Sequence, residues 1–171
     1  MTTPSPTSTR AVKLGALGLP GDLGVPAQPC ALVMFVHGSG SSRLSPRNRQ
    51  VALALRERGL ATLLFDLLTA DEADDRRKVF DIALLAERVG DAIDALAGDA
   101  SLSGLPLGLF GASTGAAAAL RVAARRPHDV AAVVGLVARA GSAPGALRAG
   151  EALLRGYRLA VPDAGARRGR T

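Results

Sequence analysis

The chain has 171 residues, 48% of them hydrophobic, which is enough for one buried core and too apolar for a disordered chain. A single cysteine and two histidines exclude an intramolecular disulfide and a structural zinc site. No apolar run approaches the roughly 20 residues that a membrane-spanning helix needs, so no membrane association is predicted.

The formal net charge of +6 is concentrated near the C-terminus. Residues 1–135 carry 14 Lys and Arg against 13 Asp and Glu, whereas residues 136–171 carry seven Arg against two acidic residues. We therefore interpret residues 136–171 as a basic, divergent tail rich in Gly, Ala and Arg. Residues 1–10 lack an apolar signal segment and are interpreted as a flexible arm, which makes a cytoplasmic location the expectation. The folded domain is predicted over residues 11–135.

Strand and helix patterns alternate along the predicted domain. Its first half contains, in chain order, an antiparallel pair within residues 11–25 that turns at residues 20–22, a strand over 31–36, a helix from Pro46 to Arg58 that is capped by Ser45, and a strand over 61–66. Its second half contains a charged connection over 71–78, a helix over 79–96, a strand over 105–110, a helix over 116–126 and a strand over 130–134. The strands are uniformly apolar rather than alternating, which indicates a mostly parallel sheet with helices on both faces, the doubly wound α/β architecture.

Residues Gly111 to Gly115 read Gly-Ala-Ser-Thr-Gly and lie between a predicted strand and a predicted helix. A G-x-S-x-G pattern in this context is typical of a sharp turn that exposes a nucleophilic serine, here Ser113. The backbone N–H of Thr114, at the start of the helix, is expected to point to where an oxyanion would form. The alternative is a closely packed, glycine-rich turn in which Ser113 only caps the helix.

A second glycine-rich loop, His37 to Arg43, follows the first buried strand. Because the carboxyl ends of parallel strands meet at one edge of a sheet, this loop is expected to lie near Ser113. The backbone N–H of Ser39 is the candidate for the second oxyanion donor. An ordinary turn and a phosphate cradle are the alternatives. The cradle is disfavoured because the P-loop pattern is absent and Arg43 stands where a dinucleotide-binding loop needs its third glycine. No cofactor is therefore predicted.

The sequence resembles the dienelactone-hydrolase-like branch of the bacterial α/β-hydrolases over residues 11–134. The blocks that carry this resemblance are residues 36–43, 45–48, 64–69, 79–82 and 110–115. The resemblance implies an α/β-hydrolase fold and hydrolysis of an ester, a lactone or a related acyl bond through a covalent acyl-enzyme. The enzyme that names the family uses a cysteine nucleophile, whereas this chain has Ser113, so dienelactone itself is not the expected substrate.

A base and a carboxylate that would complete a serine triad are not evident. A serine needs a base to take its proton and a carboxylate to orient that base, and in α/β-hydrolases both follow the serine. His128 is the only later histidine, and a helix of about 12 residues, roughly 18 Å long, is expected to carry it to the opposite edge of the sheet. His37 and Asp66 lie on the correct edge and are retained as possible support.

Relatives in this branch continue with two further strands, a catalytic aspartate and a late histidine, and residues 136–171 show no such pattern. We therefore interpret the chain as a C-terminally truncated or frame-shifted member whose fold lacks its last strands. Hydrolysis of an ester or lactone is expected to be weak or absent. The alternative is a non-catalytic α/β-hydrolase-like protein that binds a small molecule in the same pocket.

A small-molecule ester or lactone is the expected partner, and two kinds of macromolecular partner are alternatives. Without a neighbouring strand, residues 130–134 would form an apolar sheet edge, which predicts marginal solubility or a homodimer unless the tail covers it. The seven arginines of the tail suggest a basic adaptor for nucleic acid, but Tyr157 is the only aromatic residue among them. Because stacking side chains are what single-strand binding surfaces add to charge, nucleic-acid binding is disfavoured.

Overall fold

The computed structural model describes residues 8–136, in which a hairpin is followed by alternating strands and helices. The strands of this segment are β1 (Ser8–Leu14), β2 (Leu19–Val25), β3 (Ala31–Val36), β4 (Leu60–Phe65), β5 (Leu107–Ala112) and β6 (Val130–Leu136). Its helices are α1 (Pro46–Arg56), α2 (Ala70–Ala73), α3 (Arg76–Val79), α4 (Ile82–Leu96) and α5 (Thr114–Arg125), with a 3₁₀ turn at Ala100–Leu102.

The strands form one sheet in the order β1-β2-β4-β3-β5-β6. β3 runs parallel to β4 and β5, and β5 runs parallel to β6, whereas β2 is antiparallel to both β1 and β4. The predicted α/β architecture with a mostly parallel sheet is therefore confirmed. Within the described residues β6 is the last strand of this order, and the predicted loss of later strands concerns residues outside that range.

The central strands bury side chains on both faces of the sheet, because alternate residues point in opposite directions. Phe35 of β3 and Leu64 of β4 pack with Ala52 of α1 on one face. Met34 and Leu63, their neighbours in the same strands, belong to the larger cluster that includes side chains of α4 and α5. This two-sided burial explains why the strands read as uniformly apolar in the sequence.

The turn of the N-terminal hairpin lies earlier than predicted. Residues 15–18 form it, with Gly15 and Gly18 at positive φ and the Gly18 N–H donating to the Gly15 carbonyl at 3.1 Å. Residues 20–22, where Pro-Gly-Asp suggests a turn, lie inside β2, so the predicted turn position is wrong. Two glycines that adopt left-handed conformations without strain outweigh the local turn preference of that tripeptide.

The charged connection over residues 71–78 contains α2 and α3, which the sequence patterns did not predict. Thr69 and Glu72 form a capping box at the start of α2, in which each side chain accepts the other residue's backbone N–H. Glu72 also accepts hydrogen bonds from Lys78 and Arg88, and so ties α2 to α4. The Thr69 N–H, followed by these cations, lowers the pKa of Glu72 despite partial desolvation.

The predicted domain boundaries stay predictions, because residues 1–7 and 137–171 lie outside the described residues. Residues 8–10, which belong to the predicted N-terminal arm, pair with β2 as the start of β1. At the other end, Leu136 is the last residue of β6. None of the helices in the described part of the chain is both long and apolar enough to cross a membrane.

Candidate active site

Ser113 occupies a strained turn between β5 and α5. Its backbone angles are φ 54° and ψ −121°, and no other residue except glycine has a positive φ in the described part of the chain. A non-glycine residue with such backbone angles destabilises the fold by on the order of 1–3 kcal/mol, so the surrounding structure must enforce the conformation. The Ser113 N–H donates to the carbonyl of Leu136 in β6 at 2.9 Å, and the Ser113 carbonyl accepts from Ala116 at 3.0 Å. Ser113 itself is exposed.

The glycines on either side of Ser113 are required by close backbone contacts. A Cβ added to Gly115 would lie 2.0 Å from the carbonyl oxygen of Val36, and one added to Gly111 would lie 2.6 Å from the carbonyl oxygen of Gly115. Neither position accepts a side chain unless the backbone moves.

The loop after β3 packs directly against this turn. A Cβ on Gly38 would lie 2.6 Å from the Ala112 carbonyl oxygen and 3.3 Å from the Cβ of Ser113. The expectation that residues 37–43 lie near Ser113 is therefore met at Gly38.

The two residues predicted to supply oxyanion donors are joined by a hydrogen bond. The Ser39 N–H donates to Thr114 Oγ1 at 3.0 Å. The Thr114 N–H belongs to the first turn of α5, where an α-helix provides no intrahelical acceptor and the helix dipole favours negative charge. The structure thus brings Ser39 and Thr114 together beside Ser113, with the Ser39 amide already engaged by a side chain.

His37 lies directly after β3, and both of its ring nitrogens are engaged. Nε2 accepts the backbone N–H of Leu67 at 3.1 Å, and Nδ1 lies 3.1 Å from the carbonyl oxygen of Gly38. This arrangement requires a proton on Nδ1 and none on Nε2, which is a neutral tautomer. Burial lowers the pKa of His37, against the opposing effects of the Gly38 carbonyl and the Asp66 carboxylate. His37 therefore joins the loops after β3 and β4 and offers no free nitrogen to Ser113.

Asp66 supports the far end of the loop after β3. Its Oδ1 accepts the backbone N–H of Arg43 at 2.8 Å, and its Oδ2 lies 3.2 Å from Arg43 Nε. The guanidinium of Arg43 also donates to Asp22 of β2 at 3.1 Å. The sequence analysis missed Arg43 and Asp22 as supports of this loop. The available signal was an arginine at the end of a glycine-rich loop together with an acidic residue directly after a buried strand.

A cleft of about 450 Å³ opens beside this loop. Its polar lining includes His37, Ser39, Asp66 and Thr114, and Leu85 contributes to its apolar wall. A concave site with an apolar wall and a few convergent polar groups is the usual form of a small-molecule site.

His128 lies on the opposite edge of the sheet from Ser113. It is exposed in the turn before the amino end of β6, whereas Ser113 follows the carboxyl end of β5, and these two strands are parallel. The separation predicted from the length of the intervening helix is therefore confirmed. Among residues 8–136, no group of three or more His, Cys, Asp or Glu side chains could hold a metal ion.

The sheet order, the parallel central strands and a serine on a sharp strand-to-helix turn together define the α/β-hydrolase fold. The profile of the serine aminopeptidase S33 family matches residues 27–167, and the chain belongs to this family. The matched residues extend past residue 134, where the resemblance carried by the sequence blocks ends. The lineage of the chain is therefore that of a hydrolase.

Solved structures establish the dienelactone-hydrolase-like character. A dienelactone hydrolase from Anabaena variabilis is 47% identical with a TM-score of 0.70, over 78% of this chain and 63% of its own. P91, a dienelactone-hydrolase-like promiscuous phosphotriesterase from metagenomic libraries, shares the fold at 20% identity with a TM-score of 0.62, over 81% of this chain and 63% of its own. The predicted resemblance to this branch of the α/β-hydrolases is confirmed.

Two Mycobacterium tuberculosis proteins, from strains CDC 1551 and H37Rv, are each 53% identical over 123 residues. Both bear the name "Putative phosphoribosyl transferase". The matched segment is 72% of this chain and 28% of each of these proteins, so the chain spans less than a third of the length of its curated relatives.

Proposed function

We propose that this chain carries the nucleophile and the oxyanion donors of a serine acyl hydrolase that acts on esters or lactones. The observation that supports this most is Ser113, exposed on a strained turn with φ 54° between glycines that backbone contacts require. Such strain persists only where the surrounding structure enforces it, and it is concentrated at functional sites. The hydrolase lineage supports the same conclusion.

The proposed reaction begins with attack of Ser113 Oγ on the carbonyl carbon of an ester. The electron pair of the carbonyl bond moves to its oxygen, and the backbone N–H groups of Thr114 and Ser39 stabilise the alkoxide that forms. Collapse of this intermediate breaks the bond to the alcohol portion, which leaves with a proton, and the acyl group stays on Ser113. Water then attacks the acyl carbon in the same way and releases the acid and the free serine.

The proton of Ser113 has no suitable histidine to accept it in this proposal. Both ring nitrogens of His37 are hydrogen-bonded to the backbone of the loops after β3 and β4, and His128 lies on the other edge of the sheet. These are the only histidines among the 171 residues. We therefore propose that a base from solvent takes the proton, and that turnover by this chain is weak because a missing triad base costs several powers of ten in rate.

A non-catalytic function in small-molecule binding is the second candidate. The observation that favours it is the bond from the Ser39 N–H to Thr114 Oγ1, which occupies one of the proposed oxyanion donors. In this alternative the cleft of about 450 Å³ binds a small acyl compound without reaction at Ser113. Phosphoribosyl transfer is not proposed, because the chain matches only 28% of the proteins that bear that name.

A fluorophosphonate probe separates the two functions. Ser113 Oγ would bond to phosphorus as fluoride leaves, with the serine proton passing to a buffer base, and mass spectrometry of the Ser113 peptide measures the product. We expect slow labelling of the wild type and none of Ser113→Ala. Ser103→Ala is the matched control, because Ser103 is exposed after the 3₁₀ turn, and it should label like the wild type. A wild type that small esters stabilise but the probe never labels would establish the binding function and overturn the catalytic one.

We also propose that β6 mediates a homodimer and that the protein is cytoplasmic. Residues of β6 are mostly half-buried within the described part of the chain, as expected of a strand at the end of a sheet. Light scattering tests the dimer, and a monodisperse monomer at high protein concentration would contradict it.

A further inference from the structure

Thr114 directly follows the proposed nucleophile, and its hydroxyl accepts the Ser39 N–H at 3.0 Å. Both residues line the cleft beside the loop after β3. A threonine hydroxyl has two acceptor sites and one proton to donate. Within residues 8–136 no hydrogen bond uses that proton, so it is available to an oxygen atom that enters the cleft.

The bond from Ser39 to Thr114 changes which group faces a substrate oxygen. A backbone amide has one proton, so Ser39 cannot donate to an oxyanion while it donates to Thr114. The Thr114 N–H stays available at the start of α5, and an oxyanion bound there needs a second donor. A hydroxyl that accepts a hydrogen bond becomes a stronger donor, because hydrogen bonds in a chain polarise one another.

We propose that Thr114 is a catalytic residue whose hydroxyl, held and polarised by the Ser39 N–H, donates the second hydrogen bond to the oxyanion. This inference rests on the proposed function, and it changes the role of Ser39 from a direct donor to a group that acts through Thr114. The hydroxyl proton stays on Oγ1 throughout. Its bond to the oxyanion forms as negative charge develops and breaks when the intermediate collapses.

The competing arrangement has the Thr114 side chain rotate away, so that the Ser39 N–H reaches the oxyanion directly. The two arrangements make opposite predictions for Thr114→Val, which keeps the branched shape and removes the hydroxyl. If the hydroxyl is the donor, the substitution removes one of two donors. If the Ser39 N–H is the donor, the substitution frees it from an internal acceptor and the reaction becomes faster or stays the same.

The test compares fluorophosphonate labelling at Ser113 in the wild type, Thr114→Val and Thr114→Ser. Attack of Ser113 on phosphorus also increases the negative charge on the phosphoryl oxygen as fluoride leaves, so the labelling rate responds to the oxyanion donors. We expect Thr114→Val to label about 100-fold more slowly, the effect of losing one oxyanion donor. Thr114→Ser restores the hydroxyl and should recover most of the labelling rate that Thr114→Val loses. Thr114→Val should lower the maximal labelling rate at saturating probe and leave the probe concentration for half-maximal rate unchanged. The reason is that the Thr114 hydroxyl donates its hydrogen bond only as negative charge develops on the oxygen.

Thermal melting of each variant checks the fold, and Thr114→Ala provides a second variant without a hydroxyl if valine disturbs the turn. Labelling of either variant at the wild-type rate or faster overturns the inference and leaves the proposed function intact. Absence of labelling at Ser113 in the wild type overturns the proposed function, and the inference with it.

Discussion

The two histidines of this chain lie at opposite edges of one sheet, and neither combines the two properties of a general base. His37 lies with Ser113 at the edge of the sheet where the parallel strands end, called here the carboxyl edge. Both of its ring nitrogens, however, are hydrogen-bonded to backbone groups, those of Gly38 in its own loop and of Leu67 in the loop after β4. His128 is exposed to solvent, but it precedes the amino end of β6. A general base needs both a free nitrogen and a position within hydrogen-bond reach of the nucleophile.

This difference shows that the fold builds the two halves of a serine hydrolase site by different means. The proposed nucleophile Ser113 and the Thr114 N–H arise from a strand, a sharp turn and the start of a helix, which are neighbours along the chain. A base must come from another segment that returns to the same edge, and no histidine with a free nitrogen does so within residues 8–136. The carboxyl edge is therefore expected to react with strong electrophiles and to turn over esters poorly.

The largest expected effect breaks the turn on which the carboxyl edge depends. Gly115→Ala would place a Cβ 2.0 Å from the Val36 carbonyl oxygen, so β3 and α5 would have to move apart. We expect the free energy of unfolding, measured by urea denaturation, to fall by about 3 kcal/mol. Labelling at Ser113 should be lost in the same variant, because the serine no longer projects from a strained turn.

Gly98→Ala is the matched control for this substitution. Gly98 follows α4, and a Cβ there meets no other atom within 4 Å. We expect the free energy of unfolding to change by no more than about 0.5 kcal/mol. Equal stability of Gly115→Ala and Gly98→Ala would show that close backbone contacts do not hold the turn.

The next effect compares the two histidines directly. His37→Ala removes the acceptor of the Leu67 N–H, and Leu67 is fully buried. We expect this variant to lose about 1–3 kcal/mol of unfolding free energy, the cost of a buried donor without a partner. His128→Ala changes an exposed side chain and should stay within about 0.5 kcal/mol of the wild type.

The same pair of variants tests whether His128 has any role at the site. His128→Ala should label at Ser113 like the wild type, since the helix α5 separates the two residues. A loss of labelling in His128→Ala without a loss of stability would contradict the assignment of His128 to the opposite edge.

The features of the carboxyl edge that depend on residues adjacent in the sequence could be predicted. The spacing of Gly111, Ser113 and Gly115 predicts a turn with no room for side chains beside the serine. The continuous apolar run of β3 predicts a strand buried on both faces. The hairpin turn at residues 15–18 was misplaced because a Pro-Gly-Asp tripeptide competes with it in the sequence. The helix α2 was missed although Thr69 begins a recognisable capping box.

The contacts that decide the chemistry could not be predicted, because they join loops far apart along the chain. The bond from Ser39 to Thr114 spans 75 positions, and that from Leu67 to His37 spans 30. Both depend on how loops from different strands meet at the sheet edge, which residue spacing does not encode. The sequence therefore predicted which residues share the edge, but not which of their donors and acceptors are already occupied.

A smaller effect sharpens the comparison by supplying the missing base from solution. Ser113 is exposed, so imidazole added to the buffer can reach its hydroxyl and take its proton. We expect imidazole to raise the rate of fluorophosphonate labelling by about tenfold, a fraction of what a positioned base contributes. Mass spectrometry of the Ser113 peptide measures the rate, and the remaining probe is quantified in the same buffer because imidazole also consumes it.

Ser113→Ala in the same imidazole buffer is the control and should show no label at position 113. A wild type that labels as fast as active serine hydrolases without imidazole, and gains nothing from it, would contradict the comparison. It would mean that a base already reaches Ser113.

The smallest expected effect is a pH dependence of stability that comes from His37. Burial lowers the pKa of His37 in the folded protein below its ordinary value of about 6.5. As the pH falls below about 6.5, the unfolded chain binds a proton that the folded protein does not, which favours unfolding. The contribution of His37 is therefore fully present above about pH 7 and is lost toward the lowered pKa of the folded state.

His37→Gln separates this effect from the titration of carboxylates, which the two proteins share. A glutamine oxygen can accept the Leu67 N–H but takes up no proton in this range. The stability of the wild type relative to His37→Gln should therefore decrease between about pH 7 and 5. A constant difference would show that His37 takes up a proton as easily in the folded protein as in the unfolded chain. Its ring would then be open to proton transfer, and His37 could act on Ser113 as the base that the comparison denies it.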